Sequence, residues 1–212
     1  MKKISILFFI ITLTFIISAC KKSPEQGTIT GHISFLNGDV QINGKKASHN
    51  QKIKYGNTVT TGKYSNCYIT FDKLNIIKMT SNAKMKFLVK EKDSSINLLR
   101  GFMGLVIKNK KRLKNFRVIT PTITASVRGT VFYIGAETPK RTYSCICNGK
   151  IKYDFTGKTL LHQAKHHYGG YFTEAKGKIS FNKGGGWAGH SFKFMDELAS
   201  RINIKIDWTK LP

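Results

Sequence analysis

Apolar and polar side chains alternate at a period of two through most of the chain, from Ile29 to Phe155. The clearest runs are Val40 and Ile42; Cys67, Ile69 and Phe71; Met85, Phe87 and Val89; and Phe116 and Val118. Such alternation is typical of β-strands, whose successive side chains point to opposite faces. Dipeptides such as Asn37-Gly38 divide the runs and favour tight turns. The pattern predicts an all-β fold: an antiparallel or coiled β-sheet domain, either sandwich-like or a short β-solenoid.

Helical spacing is hard to find before the C-terminal tail. There, Phe194, Leu198 and Ile202 fall on one helical face, with Met195 beside them. This spacing predicts a short helix that packs the apolar face into the core, followed by an extended end.

The first twenty residues resemble the export signal of a bacterial lipoprotein. Lys2 and Lys3 give a positive start, an apolar run follows from Ile4 to Ile17, and small residues precede Cys20. The run is shorter than the ~20 residues that a membrane-spanning helix needs, which disfavours an uncleaved transmembrane helix. We expect Cys20 to be lipidated and to hold the protein on a bacterial membrane, on a periplasmic or surface face of the envelope.

The expected divisions of the chain are a signal peptide (1–20), a tether (21–26), a β domain (27–155) and a C-terminal extension with a histidine cluster and the short helix (156–212).

One segment, FRVITPTITASVRGTVFYI from Phe116 to Ile134, resembles the signature of the FecR family. Its matching positions are Thr120, Pro121, Thr122, Val127, Arg128, Gly129 and Thr130. An upstream segment, KIKYGNTVTTGKYSNCYITF, is similar to another element of that family, although Asn57 stands where the family commonly has Asp. The resemblance covers roughly residues 28–155 and implies a cell-envelope domain.

The signature also makes physical sense as a corner in a sheet. Pro121 has no backbone donor, so it belongs at an edge or a break rather than within a central strand. Gly129 permits a bulge or a close backbone approach. Arg128 can cap carbonyl groups at the corner or reach a carboxylate, with ligand contact as the less favoured alternative.

The resemblance implies an interaction role rather than catalysis. Regulatory FecR-like proteins relay a signal to a sigma factor through a cytoplasmic segment, but here only Met1, Lys2 and Lys3 precede the apolar run. We therefore expect no anti-sigma arm, and a lipid-anchored binding or scaffold protein with an envelope protein as partner. With 11 acidic residues and no convincing acid pair, catalytic elbow or phosphate loop, the sequence does not indicate an enzyme.

The formal net charge of +25 favours contact with anionic surfaces, including acidic envelope polymers. Mutational bias towards lysine is the slightly favoured explanation of this charge. Nucleic acid is not an expected partner, because the chain is exported and because lysine reads phosphate groups less specifically than arginine does.

Cysteines and histidines suggest an alternative function, a metal-binding or redox lipoprotein. If Asn148-Gly149 is a hairpin turn, Cys145 and Cys147 share the wetter face with the lysines, where nearby cations favour a thiolate. These two cysteines and neighbouring histidines could form a zinc or iron site. The candidate ligands are Cys145, Cys147, His162, His166 and His167. A disulfide, within the pair or to Cys67, and three free thiols remain open alternatives.

Overall fold

The computed structural model describes residues 27–108, 113, 115–184 and 189–212. The predicted signal peptide, its lipidation site Cys20 and the tether lie outside these residues. The described part holds sixteen strands and one helix. The strands are β1 (Gly31–Asn37), β2 (Val40–Ile42), β3 (Lys45–Lys46), β4 (Lys52–Ile53), β5 (Thr58–Thr61), β6 (Asn66–Phe71), β7 (Asn75–Met79), β8 (Lys84–Leu88), β9 (Ser95–Ile107), β10 (Phe116–Ile119), β11 (Thr124–Val127), β12 (Thr130–Thr138), β13 (Arg141–Phe155), β14 (Lys158–Ala164), β15 (Tyr168–Ala175) and β16 (Lys178–Lys183), and the helix is α1 (Phe192–Ser200).

All sixteen described strands connect into one branched sheet, in which β9 and β13 pair with different neighbours at their two ends. The first half of β13 pairs with β12 and β15, whereas its second half pairs with β11 and β14. Likewise, β9 pairs first with β8 and β10 and then with β7 and β12. Except for the parallel pair β9–β10, these pairings are antiparallel. The predicted all-β, antiparallel architecture is confirmed.

Glycines bend both long strands where they change neighbours. Gly101 in β9 has a φ of +80°, and an added Cβ would lie 2.5 Å from the Cα of Ala83. Gly149 in β13 has a φ of +133°, and its Cβ would lie 2.9 Å from the Cα of Thr130. Because Gly149 serves as a bend within a continuous strand, the prediction of a hairpin turn at Asn148-Gly149 is wrong.

The main core lies between the two sets of strands that these bends create. Its largest side chains include three aromatic rings, Phe71, Phe87 and Phe116. The ring of Phe71 contacts both others, at centroid distances of 5.7 Å and 6.0 Å. The predicted alternation therefore buries one face of strands such as β8 and β10 in a shared apolar interior.

A second cluster covers the outer face of β7, β9, β12 and β13. The helix α1 contributes Met195, Leu198 and Ala199, and the tail adds Ile206. Phe194 is partly buried against the same cluster, so the predicted helix and its apolar side are confirmed. Ile202 also packs there, but it lies just after the end of α1. The hydroxyl of Ser191 caps α1 by accepting a hydrogen bond from the backbone N–H of Phe194 at 3.1 Å.

Thr120–Thr122 form the turn between β10 and β11, where buried hydroxyl groups connect the corner to β13. The Thr142 hydroxyl lies 2.6 Å from that of Thr122 and 2.9 Å from that of Thr120. Arg128 is exposed and lines a cavity of about 860 Å³ with Lys150 and other residues.

The C-terminal extension continues the fold of the domain before it. Strand β14 pairs with β13, and β15 and β16 follow in the same sheet. The division of the chain at residue 155 stays a prediction. Among the described residues, no helix has the length and apolar character that a membrane crossing requires.

Candidate metal centre

Two buried cysteines, Cys145 and Cys147, lie side by side on the outer face of β13. Cys145 pairs with Tyr133 in β12 and with Gly169 in β15. Cys147 is the extra residue of a β-bulge, because Ile146 and Asn148 on either side of it face consecutive residues of β12. A bulge re-aims the side chain that it carries. Both cysteines belong to the outer cluster, whereas Ile146 between them faces the main core.

The expectation that these cysteines occupy a wet face is wrong. Cys145 is 1% exposed and Cys147 is fully buried, because α1 and the tail cover this side of the sheet. Cys67 packs in the main core on the other side, and the three cysteines that the structure describes are free thiols.

Two histidines approach the cysteines from separate segments. His167 lies between β14 and β15, and its Nδ1 is 3.5 Å from the Sγ of Cys145. His190 lies between β16 and α1, and its Nε2 is 3.0 Å from the Nδ1 of His167. One ligand atom from each of Cys145, Cys147, His167 and His190 lies within 4.8 Å of all the others. We call these four residues the Cys2His2 cluster.

Aromatic rings hold both imidazoles in place. The ring of His190 stacks on Tyr133 at a centroid distance of 4.4 Å and an interplanar angle of 12°. The ring of His167 lies parallel to that of Trp208 at 6.0 Å and meets Phe192 edge-on at 4.6 Å. Such packing limits ring rotation, so the nitrogen atoms stay directed at the thiols.

The cluster favours a thiolate at one of its two sulfur atoms. A hydrogen bond from the Cys147 thiol, supported by His167 and His190, holds the pKa of Cys145 well below the ordinary thiol range, against the effect of burial. Burial raises the pKa of Cys147 well above that range, and the neighbouring Cys145 adds to the shift. A thiolate is the form of cysteine that binds metal ions.

Residues 57–152 match the family model described as FecR protein. The chain carries a FecR domain. The fold is similar to two crystal structures of a candidate anti-sigma factor from Parabacteroides distasonis, with TM-scores of 0.51 and 0.50 and 12% sequence identity. Each comparison covers 59% of this chain and 59% of that one, so the chain matches little more than half of that protein's length. The search of curated proteins found no match.

The Cys2His2 cluster joins the FecR domain to the residues after it. Cys145 and Cys147 lie within the matched residues 57–152, whereas His167 and His190 lie beyond them. The cluster is therefore assembled across the end of the FecR match.

Three of the five ligands predicted from the sequence meet in the cluster, and two lie elsewhere. His162 packs among Tyr153, Tyr168 and Phe181, where burial lowers its pKa. His166 is exposed. Sequence reasoning missed His190, which lies 23 residues after His167 with no other cysteine or histidine between them.

Proposed function

We propose that this protein is a lipid-anchored component of the bacterial envelope that uses its FecR domain to bind a protein partner, and that it catalyses no reaction. The FecR match over residues 57–152 carries the proposal. Together with the fold similarity to a candidate anti-sigma factor, this match fits a role in envelope signalling or protein interaction. The absence of an anti-sigma arm stays a prediction.

Replacement of the anchoring cysteine tests the membrane attachment. We expect Cys20→Ser to abolish incorporation of labelled fatty acid and to move the protein from the membrane fraction to the soluble fraction, because stable attachment needs more than one buried acyl chain. Cys67→Ala is the control, since it removes a cysteine from the main core and leaves Cys20 in place. A Cys20→Ser protein that remains membrane-bound after a salt wash would contradict the lipid anchor.

The turn between β5 and β6 offers a contact point within the FecR domain. Tyr64 is 79% exposed and has a φ of +54°, a conformation that is rare for a bulky residue. The ammonium group of Lys63 lies 4.8 Å from the centre of its ring. Tyrosine is enriched at protein interfaces, and exposed strained residues often mark functional sites. These features support partner binding at this turn.

Site-specific crosslinking in living cells tests partner binding. A photoreactive amino acid at Tyr64 is expected to give a discrete crosslinked protein, whereas the same amino acid at Leu161 is expected to give none. Leu161 is a suitable control because it is 54% exposed and lies beyond the FecR match. Identical products at both positions, or none at Tyr64, would count against this surface.

A further inference from the structure

We propose that Cys145, Cys147, His167 and His190 bind one zinc ion, and that this ion fastens residues 189–212 to the FecR domain. This inference goes beyond the proposed function and does not depend on the identity of a partner. It rests on the positions of four side chains that come from three separate parts of the chain.

The spacing of the ligand atoms fits a single tetrahedral ion. With Zn–S distances of about 2.3 Å and Zn–N distances of about 2.0–2.1 Å, ligand atoms around zinc lie roughly 3.3–3.8 Å apart. The observed separation between the Sγ of Cys145 and the Nδ1 of His167 is 3.5 Å, and that between the two histidine nitrogens is 3.0 Å. All four ligand atoms lie within 4.8 Å of one another, so small side-chain shifts would complete the coordination shell.

The donor set selects the class of metal. Two thiolates and two imidazoles suit zinc, whereas calcium and magnesium take oxygen ligands. No carboxylate belongs to the cluster among the described residues. Four protein ligands leave no open position for water or substrate, which is the arrangement of a structural zinc site rather than a catalytic one.

The ion would connect elements from three separate parts of the chain. Cys145 and Cys147 lie on β13, His167 lies in the loop after β14, and His190 begins the segment that leads into α1. Beside the cluster, the side-chain amide of Asn148 lies within hydrogen-bond distance of the carbonyl groups of Asp207 and Lys210. Zinc would thus reinforce a place where the tail already meets β13.

Metal analysis of the full chain, extracted from membranes in mild detergent without chelator, tests this assignment. We expect one zinc ion per chain, and loss of that zinc in Cys145→Ser and in His190→Asn. His166→Asn is the matched control, because His166 is a histidine near the cluster that lies exposed outside it. Cys67→Ala serves as the cysteine control. Both controls are expected to retain the ion.

A second measurement uses the wild-type chain, so its result does not depend on whether a substituted protein folds. After zinc is stripped from the wild-type chain, titration with Co²⁺ is expected to give the intense visible absorption of a four-coordinate ion and a thiolate-to-cobalt charge-transfer band, both saturating at one equivalent. Zinc should then displace the cobalt. Three results would overturn the proposal: no bound metal with a Cys145–Cys147 disulfide, a bound metal other than zinc, or zinc that is retained in Cys145→Ser and His190→Asn.

Discussion

Removal of zinc is expected to release residues 189–212 partly from the sheet and to speed their cleavage by trypsin about tenfold or more. If free zinc stands a thousandfold above its dissociation constant, binding stabilises the closed form by about 4 kcal/mol. The apolar contacts of Met195, Leu198, Ala199 and Ile206 remain after the ion is removed, so part of the attachment persists. Trypsin sites in this segment include Lys193, Arg201, Lys205 and Lys210.

Mass spectrometry of timed digests, with and without EDTA, measures this release. Zinc added back should restore protection, whereas magnesium should not, because the ligands are sulfur and nitrogen atoms. His166→Asn should behave as the wild type in both conditions. Equal cleavage rates with and without EDTA, measured on a chain that carries zinc, would show that the ion does not hold the tail.

Phe71→Ala is expected to destabilise the protein by about 3–5 kcal/mol, the range for removing a large buried aromatic side chain. Phe71 is 2% exposed and contacts both Phe87 and Phe116 in the main core. All three rings lie within the FecR match, so the cavity would open at the centre of that domain. For a chain of this size, the melting temperature should fall by roughly 10 °C.

Urea unfolding followed by circular dichroism measures this change. Leu99→Ala is the control, because Leu99 is a large apolar residue of the same domain that is 49% exposed. Its effect should stay within about 0.5 kcal/mol. A loss below about 1 kcal/mol for Phe71→Ala would mean that these rings do not form a packed core.

The sequence predicts the strands and the helix well because both depend on local patterns. Alternation along residues such as Cys67, Ile69 and Phe71 places one face of β6 in the core whatever the topology. The face of α1 follows in the same way from Phe194 and Leu198. Both predictions need only the spacing of apolar residues along a short stretch of the chain.

The hairpin prediction fails because an Asn-Gly dipeptide such as Asn148-Gly149 can adopt more than one backbone conformation. The dipeptide favours a tight turn, but glycine equally permits the bend of a long strand that passes from one set of partners to another. The choice depends on strands that are distant in sequence, since β11 and β14 pair with β13 beyond Gly149. No local signal separates these outcomes.

The candidate metal ligands show the same division between local and distant information. Cys145 and Cys147 are two residues apart on one strand, so the sequence alone suggests that they act together. His162 and His166 are close to His167 in sequence, but neither joins the cluster. His162 in β14 packs against Phe181, and His166, which follows β14, is exposed. His190 reaches the cluster only because residues 189–191, which precede α1, lie against β12 and β13.

Anomalous diffraction at the zinc absorption edge, on crystals of the full chain, tests the Cys2His2 assignment most directly. The predicted result is one anomalous peak, about 2.3 Å from the sulfur atoms of Cys145 and Cys147 and about 2.0–2.1 Å from the Nδ1 of His167 and the Nε2 of His190. The absence of a peak between these four residues, or a zinc ion bound instead by His162 or His166, would contradict it.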